Sequence, residues 1–532
     1  MKVSRISVDL AVVLLFVTLL LVPFMGKAFH MDEPFFLAIA RQILRDPFHP
    51  LAFNFNWYGE TVAMSRLNNT PPLMPYLLAL GLKATGGGEW PMRLFLLPVD
   101  WFAAASLYLL AGRFLRRPLW PTLILIASPA YWINMSLLLP EKAALAFGLF
   151  ALYALTRGEK AGWYWLSAAA LGFSLLSKYM AIAFFPAALL FAASRVSRRR
   201  LAAYAALSLA PSAAYFLCAG AGPAAWEVIS LAAPAKWPQW CHKLRSFLAF
   251  GGGAALVPVI WPLFGLRARI GGTAALAAAL LFLPVFDIEP VRGIDRAMGF
   301  LLAAGALTAL IRIFSSEFRR LAGWELLAPW LLAAAALQVI VYWAVLARIV
   351  LFMVIPMTLL LAAYLETRLS SGRLSLVYGA SLGLVIVLGG SLSLVDYRYA
   401  AAQRSFARQV AQPYIVQGRR VWFTGHWGLQ YYLEEVGAEV IDEGQGGFDQ
   451  VKTGDIVLAS RVNSNTRLPE KRPLSQNHVI GGELRVPVDF AIPLRLISGW
   501  RGQGGFYADS WGFLPYSFCR EPLDEFAVGR HL

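Results

Sequence analysis

Cysteine is scarce in this chain. The 532 residues include three cysteines, Cys218, Cys241 and Cys519, which lie far apart in the sequence. This spacing supports neither a disulfide framework nor a thiolate metal site.

Acidic residues are also few, with 31 Asp+Glu against 47 Lys+Arg. The whole excess lies in residues 1–395, which carry 32 basic and 16 acidic residues, whereas residues 396–532 carry 15 of each. Within residues 1–395 the basic residues cluster in short loops such as RFLRRP and RVSRRR. That distribution is typical of cytoplasmic loops between membrane spans rather than of a groove that follows phosphates, so no nucleic-acid partner is expected.

Long hydrophobic runs, by contrast, are abundant. The chain is 58% hydrophobic, with a mean hydropathy of +0.58, and soluble proteins are about 45–50% apolar. The excess comes in blocks of about 16–22 residues, the length of a bilayer-spanning helix. No small-residue cleavage site follows the first block, residues 8–25, so we expect it to be retained as a first span. The composition therefore predicts a polytopic α-helical membrane protein.

Assigning the basic loops to the cytoplasm predicts about thirteen transmembrane helices and a C-terminal tail outside the cell membrane. Residues 1–395 form the predicted transmembrane domain, residues 26–91 its first outer loop, and residues 396–532 a periplasmic domain of mixed α/β structure. The predicted spans lie near residues 8–25, 92–111, 119–138, 143–156, 163–177, 180–193, 201–219, 247–266, 271–286, 297–314, 326–347, 349–364 and 374–395.

Two apolar segments of the first outer loop are too short to cross a bilayer. One is PPLMPYLLALGL, residues 71–82, and the other follows Asp32. We expect both to be interfacial or re-entrant helices.

The predicted topology places several ionisable residues at the same level of the membrane, near its outer face, where burying a charge is energetically costly. Such residues at membrane depth indicate function by default. Each also has a structural alternative: a capped helix start, an ordinary turn, a snorkelling side chain, or an ion pair between Arg93 and Asp100, seven residues apart on one helical face. The residues of this set are Asp32 and Glu33 after the first span, Arg93 and Asp100 in the second, and Glu141, Lys178 and Arg348 in later outer turns.

Transfer of a group from a lipid-linked phosphate is the chemistry that would use these charges. Lys and Arg suit a phosphate that leaves, because Arg offers a planar fork and Lys a compact charge. A carboxylate opposite them could take a proton from an attacking hydroxyl or amine. Together these groups form the parts of a site for an inverting displacement.

The chain resembles the GT-C superfamily of membrane glycosyltransferases, in the branch that holds protein O-mannosyltransferases and the lipid A aminoarabinose transferase. The stretches that carry the resemblance are HMDEPFFLAIARQIL, PPLMPYLLALGL, MRLFLLP, LGFSLLSKYMAIAFFPAALL, ARIVLFMVIPMTLLLAAYLE and VWFTGHWGLQYYLEEVGAEVID. The resemblance implies a polyprenyl-phosphate sugar as donor, a protein, lipid or glycan acceptor, membrane lipids as surroundings, and no metal or other cofactor.

The resemblance also implies roles for individual residues. Asp32 would act on the acceptor, with Glu33 beside it, and Glu141 would be the acid of the second outer loop. Lys178 and Arg348 would bind the donor phosphate. His30 next to Asp32 is too small a ligand set to predict a metal.

The chain departs from the aminoarabinose transferase at one position. Thr70 stands where that enzyme has a Lys before Pro-Pro-Leu, so Arg66 is a candidate replacement, with Arg93 as a further candidate for binding the substrate. The Asp-x-Asp metal motif of the oligosaccharyltransferase branch is absent, since Glu33 and Pro34 follow Asp32.

Two other functions fit parts of the pattern. A lipid-linked sugar transporter or flippase would share the spans and the intramembrane charges, although transporters often show internal repeats and midplane sites. A polysaccharide polymerase would use the same class of donor at the same face. The composition, rich in Ala, Leu and Arg, favours a bacterial inner membrane with the C-terminus in the periplasm.

Overall fold

The computed structural model describes residues 2–68, 70–158, 161–219, 237–261, 268–287, 290–463, 480–498 and 502–531. Helices dominate residues 2–416, and a mixed sheet follows them. Within the described residues, six helices are long and apolar enough to cross a membrane, and a bent helix pair would make seven. The chain is thus a multi-pass membrane protein, while the count of about thirteen spans stays a prediction. The six are Ile6–Phe24, Glu89–Ala111, Gly293–Ile313, Trp324–Val341, Ala347–Arg368 and Ser371–Val416.

Both expected short helices are present in the first outer loop. The first is Glu33–Arg45, with Pro34 in its first turn, where proline fits without loss of a hydrogen bond. The second is Leu73–Thr85, which ends at Gly86 because that residue has a left-handed φ of 77°. Between them lie the antiparallel strands Asn54–Asn56 and Thr61–Ala63 and the turn of helix Met64–Leu67.

The remaining helices form the bundle around the site. Most agree with the predicted spans to within a few residues. Their bounds are Lys2–Leu21, Glu89–Ala111, Leu119–Ala127, Pro129–Met135, Pro140–Thr156, Ala161–Ser177, Phe184–Ala193, Arg198–Ala219, Trp237–Gly253, Val257–Ile260, Ala268–Leu281, Gly293–Ile313, Trp324–Ala336, Ala347–Arg368, Ser371–Phe406 and Gln412–Val416.

Three predicted spans were wrong in their bounds. The span at 119–138 is interrupted at Ser128, where an extended ψ of 147° precedes Pro129. The span at 247–266 corresponds to a helix that starts ten residues earlier and ends at Gly253; its last part, residues 262–266, lies outside the described residues. The span at 326–347 stops being α-helical at Ala336, and after a π-helical turn the chain is extended at Tyr342.

The last predicted span, 374–395, is part of a helix of 36 residues, Ser371–Phe406. The sequence after Val395 contains no Gly or Pro until Pro413, so nothing ends the helix at the expected domain boundary. The predicted boundary at residue 396 therefore falls inside a continuous helix.

The tail folds as a mixed five-stranded sheet, in which three neighbouring strands pair in parallel, the fourth pairs antiparallel to the third, and the fifth pairs antiparallel to the fourth. The helix Trp427–Glu435 connects the first two parallel strands. In spatial order the strands are Glu439–Val440, Val421–Phe423, Ile456–Ser460, Glu525–His531 and Ile480–Pro487. A separate two-stranded ribbon pairs Leu494–Arg495 with Ser517–Phe518.

The tail packs directly onto the first outer loop. The Tyr432 hydroxyl accepts a hydrogen bond from the Phe29 N–H and donates one to Glu89, both at 2.8 Å. Gln430 donates to the Asn56 carbonyl oxygen at 2.7 Å. This docking brings loops of the sheet over the end of the membrane helices, and the candidate site lies there.

Candidate active site

Four charged side chains from four distant parts of the chain meet near the outer loop. Arg348 donates from Nη2 to Asp32 Oδ2 at 2.9 Å, and its Nε lies 3.3 Å from Glu141 Oε1. The Lys178 ammonium lies 3.4 Å from the same Glu141 oxygen. Two acids and two bases therefore form one connected cluster, as the sequence predicted for these four residues.

Asp32 is placed by a strained turn. Met31, directly before it, has a φ of 52°, a conformation that is costly for a residue with a side chain. Asp32 is the N-cap residue of Glu33–Arg45, yet its side chain makes no capping hydrogen bond. The carboxylate instead points to Arg348 and keeps 31% of its surface exposed, so the helix-cap alternative for Asp32 is wrong.

Glu141, Lys178 and Arg348 each lie at a helix start. Glu141 is the second residue of Pro140–Thr156, and Arg348 the second of Ala347–Arg368. Lys178 is in extended conformation between two helical segments, with φ −155°. These helix starts lie side by side, which brings together residues that are far apart in sequence.

A cavity of about 180 Å³ opens beside the cluster. Asp32, Lys178 and Arg348 line it, whereas Glu141 contacts the two cations and is 2% exposed. The lining is otherwise largely aromatic, with Phe35, Phe36, Trp57, Tyr58, Tyr342, Trp343, His426, Trp427, Tyr507 and Trp511.

Lys178 also reaches the position that differs from the aminoarabinose transferase. Its ammonium lies 3.5 Å from the Thr70 hydroxyl, which lines the same cavity. Arg66, the suggested replacement cation, is exposed at the end of the helix Met64–Leu67 and does not line this cavity. Lys178 and Arg348 are therefore the cavity's two cationic side chains among the described residues.

A family model described as dolichyl-phosphate-mannose-protein mannosyltransferase matches residues 69–220. That segment contains Thr70, Arg93, Glu141 and Lys178. Over these residues the chain is similar to that mannosyltransferase family. The match supports, over this segment, the resemblance to protein O-mannosyltransferases that was noted in the sequence. No relative was found among curated protein sequences.

Solved structures of two proteins are similar to this chain. ArnT from Cupriavidus metallidurans in the apo state shares 15% identity at a TM-score of 0.45, over 90% of this chain and 96% of ArnT. ArnT bound to undecaprenyl phosphate shares 15% identity at a TM-score of 0.47, over 91% and 97%. Arabinosyltransferase EmbB from Mycobacterium smegmatis shares 16% identity at a TM-score of 0.30, over 92% of this chain and 47% of EmbB.

Glu33 and Arg93 lie together, apart from the four-residue cluster. The Glu33 carboxylate is fully buried and accepts from Arg93 Nη2 at 2.8 Å, from the His30 N–H at 2.8 Å and from the Leu138 N–H at 3.0 Å. Arg93 also donates to the Ser136 and Lys27 carbonyl oxygens. Neither residue lines the cavity, and their contacts hold the backbone beside Asp32. The catalytic role of Glu33 and the substrate-binding role of Arg93 stay predictions.

The ion pair between Arg93 and Asp100 that the helix spacing suggested does not form. Asp100 instead accepts from the Lys142 ammonium at 2.9 Å, and both side chains are 2% exposed. Arg93 has Glu33 as its partner. The two pairs tie the second span to its neighbours rather than to each other.

A buried charge network that the sequence did not predict lies beneath the cavity. Lys27 pairs with Asp396, and the Tyr507 hydroxyl donates to the other oxygen of the same carboxylate. His30 Nε2 lies 3.5 Å from Asp396, and burial lowers the pKa of this imidazole. Because Tyr507 lines the cavity, the network links the first outer loop, the long helix and the tail to the cavity wall.

A group of three or more potential metal ligands among His, Cys, Asp and Glu is absent from the described residues. His30 faces Asp396 rather than Asp32. Catalysis without a metal stays a prediction.

The tail supplies a second set of cavity residues that the sequence analysis missed. His426 and Trp427 belong to the segment Gly425–Gly428, where the helix Trp427–Glu435 begins, and Trp511 follows later in the tail. Aromatic residues in a soluble domain usually fill its core, which hid this role. The available signal was GHWG, in which glycines flank two rings at the junction of a strand and a helix.

Proposed function

We propose that this chain transfers a single sugar from a polyprenyl-phosphate donor to an acceptor on the periplasmic face of the inner membrane. The observation that carries the proposal is the cluster of Asp32, Glu141, Lys178 and Arg348 beside an aromatic cavity. The similarity of residues 69–220 to a dolichyl-phosphate-mannose-protein mannosyltransferase family supports the reaction class, and the multi-pass fold supports a donor held by a lipid.

The cluster has the parts that a displacement at a sugar carbon requires. Lys178 and Arg348 line the cavity and would hold the donor phosphate, where fixed cations stabilise the charge that develops on the leaving group. Asp32 is the exposed carboxylate of the cluster and would take the proton of the attacking hydroxyl or amine. The acceptor atom forms a bond to the anomeric carbon as the bond to the phosphate oxygen breaks. The electron pair leaves with the phosphate, and the anomeric centre is inverted.

Glu141 has a supporting role in this proposal. Its carboxylate touches both cations and does not line the cavity, so it sets their positions before the donor binds. A single Lys–phosphate contact near 4 Å is worth about 4 kcal/mol at an effective dielectric of 20, before desolvation. Two prealigned cations therefore suffice to place a donor phosphate at the membrane surface.

The direct test compares cells with and without the protein. Mass spectrometry of envelope glycans, lipids and glycoproteins should reveal one class of molecule that lacks a single sugar when the gene is removed. The purified protein in liposomes should then release polyprenyl phosphate from the matching donor as the acceptor gains that sugar.

Two outcomes would reject the proposal. Loss of a long glycan chain rather than one residue would indicate a polymerase. Unchanged glycan composition with donor lipids retained in the inner leaflet would indicate a flippase.

A further inference from the structure

The tail segment Gly425–Gly428 packs against the turn that precedes Asp32, and two of its residues, His426 and Trp427, line the cavity. A side chain at Gly428 would meet the Phe29 carbonyl oxygen at 2.2 Å and the His30 Cα at 3.2 Å. Only glycine permits this close approach to the backbone that leads into Asp32. The rings of His426 and Trp427 line the same cavity as Asp32.

Backbone strain is concentrated at the same place. Three non-glycine residues among those described have a positive φ, and two of them, Met31 at 52° and Trp427 at 59°, line this cavity. Such conformations cost about 1–3 kcal/mol each and persist where the surroundings enforce them, often at ligand sites. The strain at Trp427 orients a large ring that a regular helix start would not place there.

His426 has an unused polar atom at this wall. The residue is 2% exposed and lines the cavity, and its Nδ1 has no hydrogen-bond partner among the residues that the structure describes. Burial lowers the pKa of His426 to about 3, so its imidazole is neutral near pH 7. A neutral imidazole suits a neutral hydroxyl rather than a phosphate or a proton-transfer role.

The other faces of this wall are aromatic. The Trp57 ring lies 5.1 Å from His426 and Tyr58 5.8 Å, and Trp427 lies 5.9 Å from Trp511. Flat rings beside a hydroxyl-binding group fit a carbohydrate, whose C–H face packs on aromatic surfaces while its hydroxyls need polar partners. This wall contributes no cation, whereas the phosphate-binding cations lie on other elements.

We propose that Trp57, His426, Trp427 and Trp511 form an acceptor subsite for a carbohydrate ring. The inference rests on the proposed function, in which Asp32 faces the acceptor. It narrows the acceptor class to a glycan, including the sugar part of a glycolipid, and excludes the hydroxyl of an extended peptide. The donor sugar would lie between this wall and Lys178.

Saturation-transfer NMR on the purified protein tests the subsite with methyl glycosides of glucose, mannose, galactose and N-acetylglucosamine as probes. At least one probe should receive saturation at its ring protons. Trp427→Leu should weaken its binding about tenfold, equal to ~1.4 kcal/mol, because the aromatic face is lost. Trp427→Phe should retain binding, as should Phe518→Ala, which removes an exposed tail ring away from the cavity.

A second arm separates acceptor from donor. Asp32→Asn protein, loaded with donor lipids extracted from native membranes, should still bind the glycoside. Displacement of the glycoside by these lipids would assign the wall to the donor sugar and overturn the inference. Binding of a Ser/Thr peptide instead of any glycoside would overturn it as well.

The proposed function fails separately from this inference. If wild-type protein binds no undecaprenyl phosphate, the proposed function is wrong. If it binds undecaprenyl phosphate but no glycoside, or if Trp427→Leu binds glycosides like wild type, the acceptor subsite alone is wrong.

Discussion

Glu141 offers the sharpest test of the electrostatics of the cluster. Its Oε1 lies 3.4 Å from the Lys178 ammonium and 3.3 Å from Arg348 Nε. At an effective dielectric of 20, a unit charge pair at such a separation interacts by about 5 kcal/mol before desolvation. Removing one partner of a buried pair typically costs about 3–5 kcal/mol, because the other charge stays buried without compensation. We therefore expect Glu141→Gln to lower the free energy of unfolding by about 3–5 kcal/mol.

The same substitution should strengthen binding of the lipid phosphate. Glu141→Gln removes a negative charge near the phosphate site, and a like charge within about 10 Å contributes at least ~1.6 kcal/mol of repulsion at a dielectric of 20. The affinity for undecaprenyl phosphate should rise about tenfold. The bound phosphate also supplies the missing negative charge, so the lipid should stabilise the variant more than it stabilises wild type.

Thermal unfolding in detergent, with and without undecaprenyl phosphate, measures both effects. Glu325→Gln is the matched control, because its pair with Arg195 is 56% and 39% exposed at the two side chains and should contribute less than ~1 kcal/mol. A Glu141→Gln protein that unfolds like wild type and gains no extra stability from the lipid would refute the reasoning.

Three further predictions follow from the described contacts. Lys178→Ala should weaken undecaprenyl phosphate binding by at least tenfold without changing glycoside binding. Substitution of the exposed Lys83 by Ala should change neither affinity. Equal losses of affinity for both ligands in isothermal titration would indicate a structural role for Lys178. Glu33→Gln should lower the free energy of unfolding by about 3–5 kcal/mol because Arg93 loses its buried partner, and an unchanged melting temperature would argue against this pairing. The pKa of His426 is about 3 in the folded state and 6.5 in the unfolded state, so the unfolded state binds a proton first and wild type should lose stability as the pH falls from 6.5 to 3. His426→Gln should remove that loss. Parallel pH curves of denaturant unfolding for the two proteins would contradict a buried, neutral His426.

The membrane part of the fold was largely predictable because its signals are local. Hydrophobic length and basic loops predicted the helices Glu89–Ala111 and Gly293–Ile313 to within four residues. Errors occurred where local signals compete. Pro129 and the residues after Tyr342 interrupt hydrophobic segments that remain apolar throughout, so composition alone does not reveal the break.

The four-residue cluster was predictable because the predicted topology put its members at the same level of the membrane. Asp32, Glu141, Lys178 and Arg348 each follow or precede a hydrophobic segment, and the topology placed them at one face of the membrane. Their partners were not predictable in the same way. Arg93 pairs with Glu33 rather than with Asp100, because the pairing depends on how helices pack across the bundle and not on spacing within one helix.

The aromatic wall was hidden for another reason. The distance along the chain between Trp57 and His426 is large, and only the docking of the tail onto the first outer loop brings their rings to 5.1 Å. No periodicity in either segment records that contact. The glycines at positions 425 and 428 are the sequence feature that indicates this contact, since a side chain at Gly428 would collide with Phe29 in the first outer loop.

The most direct measurement of the central claim is sugar transfer by Asp32→Asn protein in liposomes, followed beside undecaprenyl phosphate binding. A positioned general base contributes about 10²–10⁴-fold to the rate, so the variant should transfer at least about a hundredfold more slowly while its phosphate affinity stays within a few fold of wild type. Transfer at close to the wild-type rate would contradict the assignment of Asp32 to the acceptor.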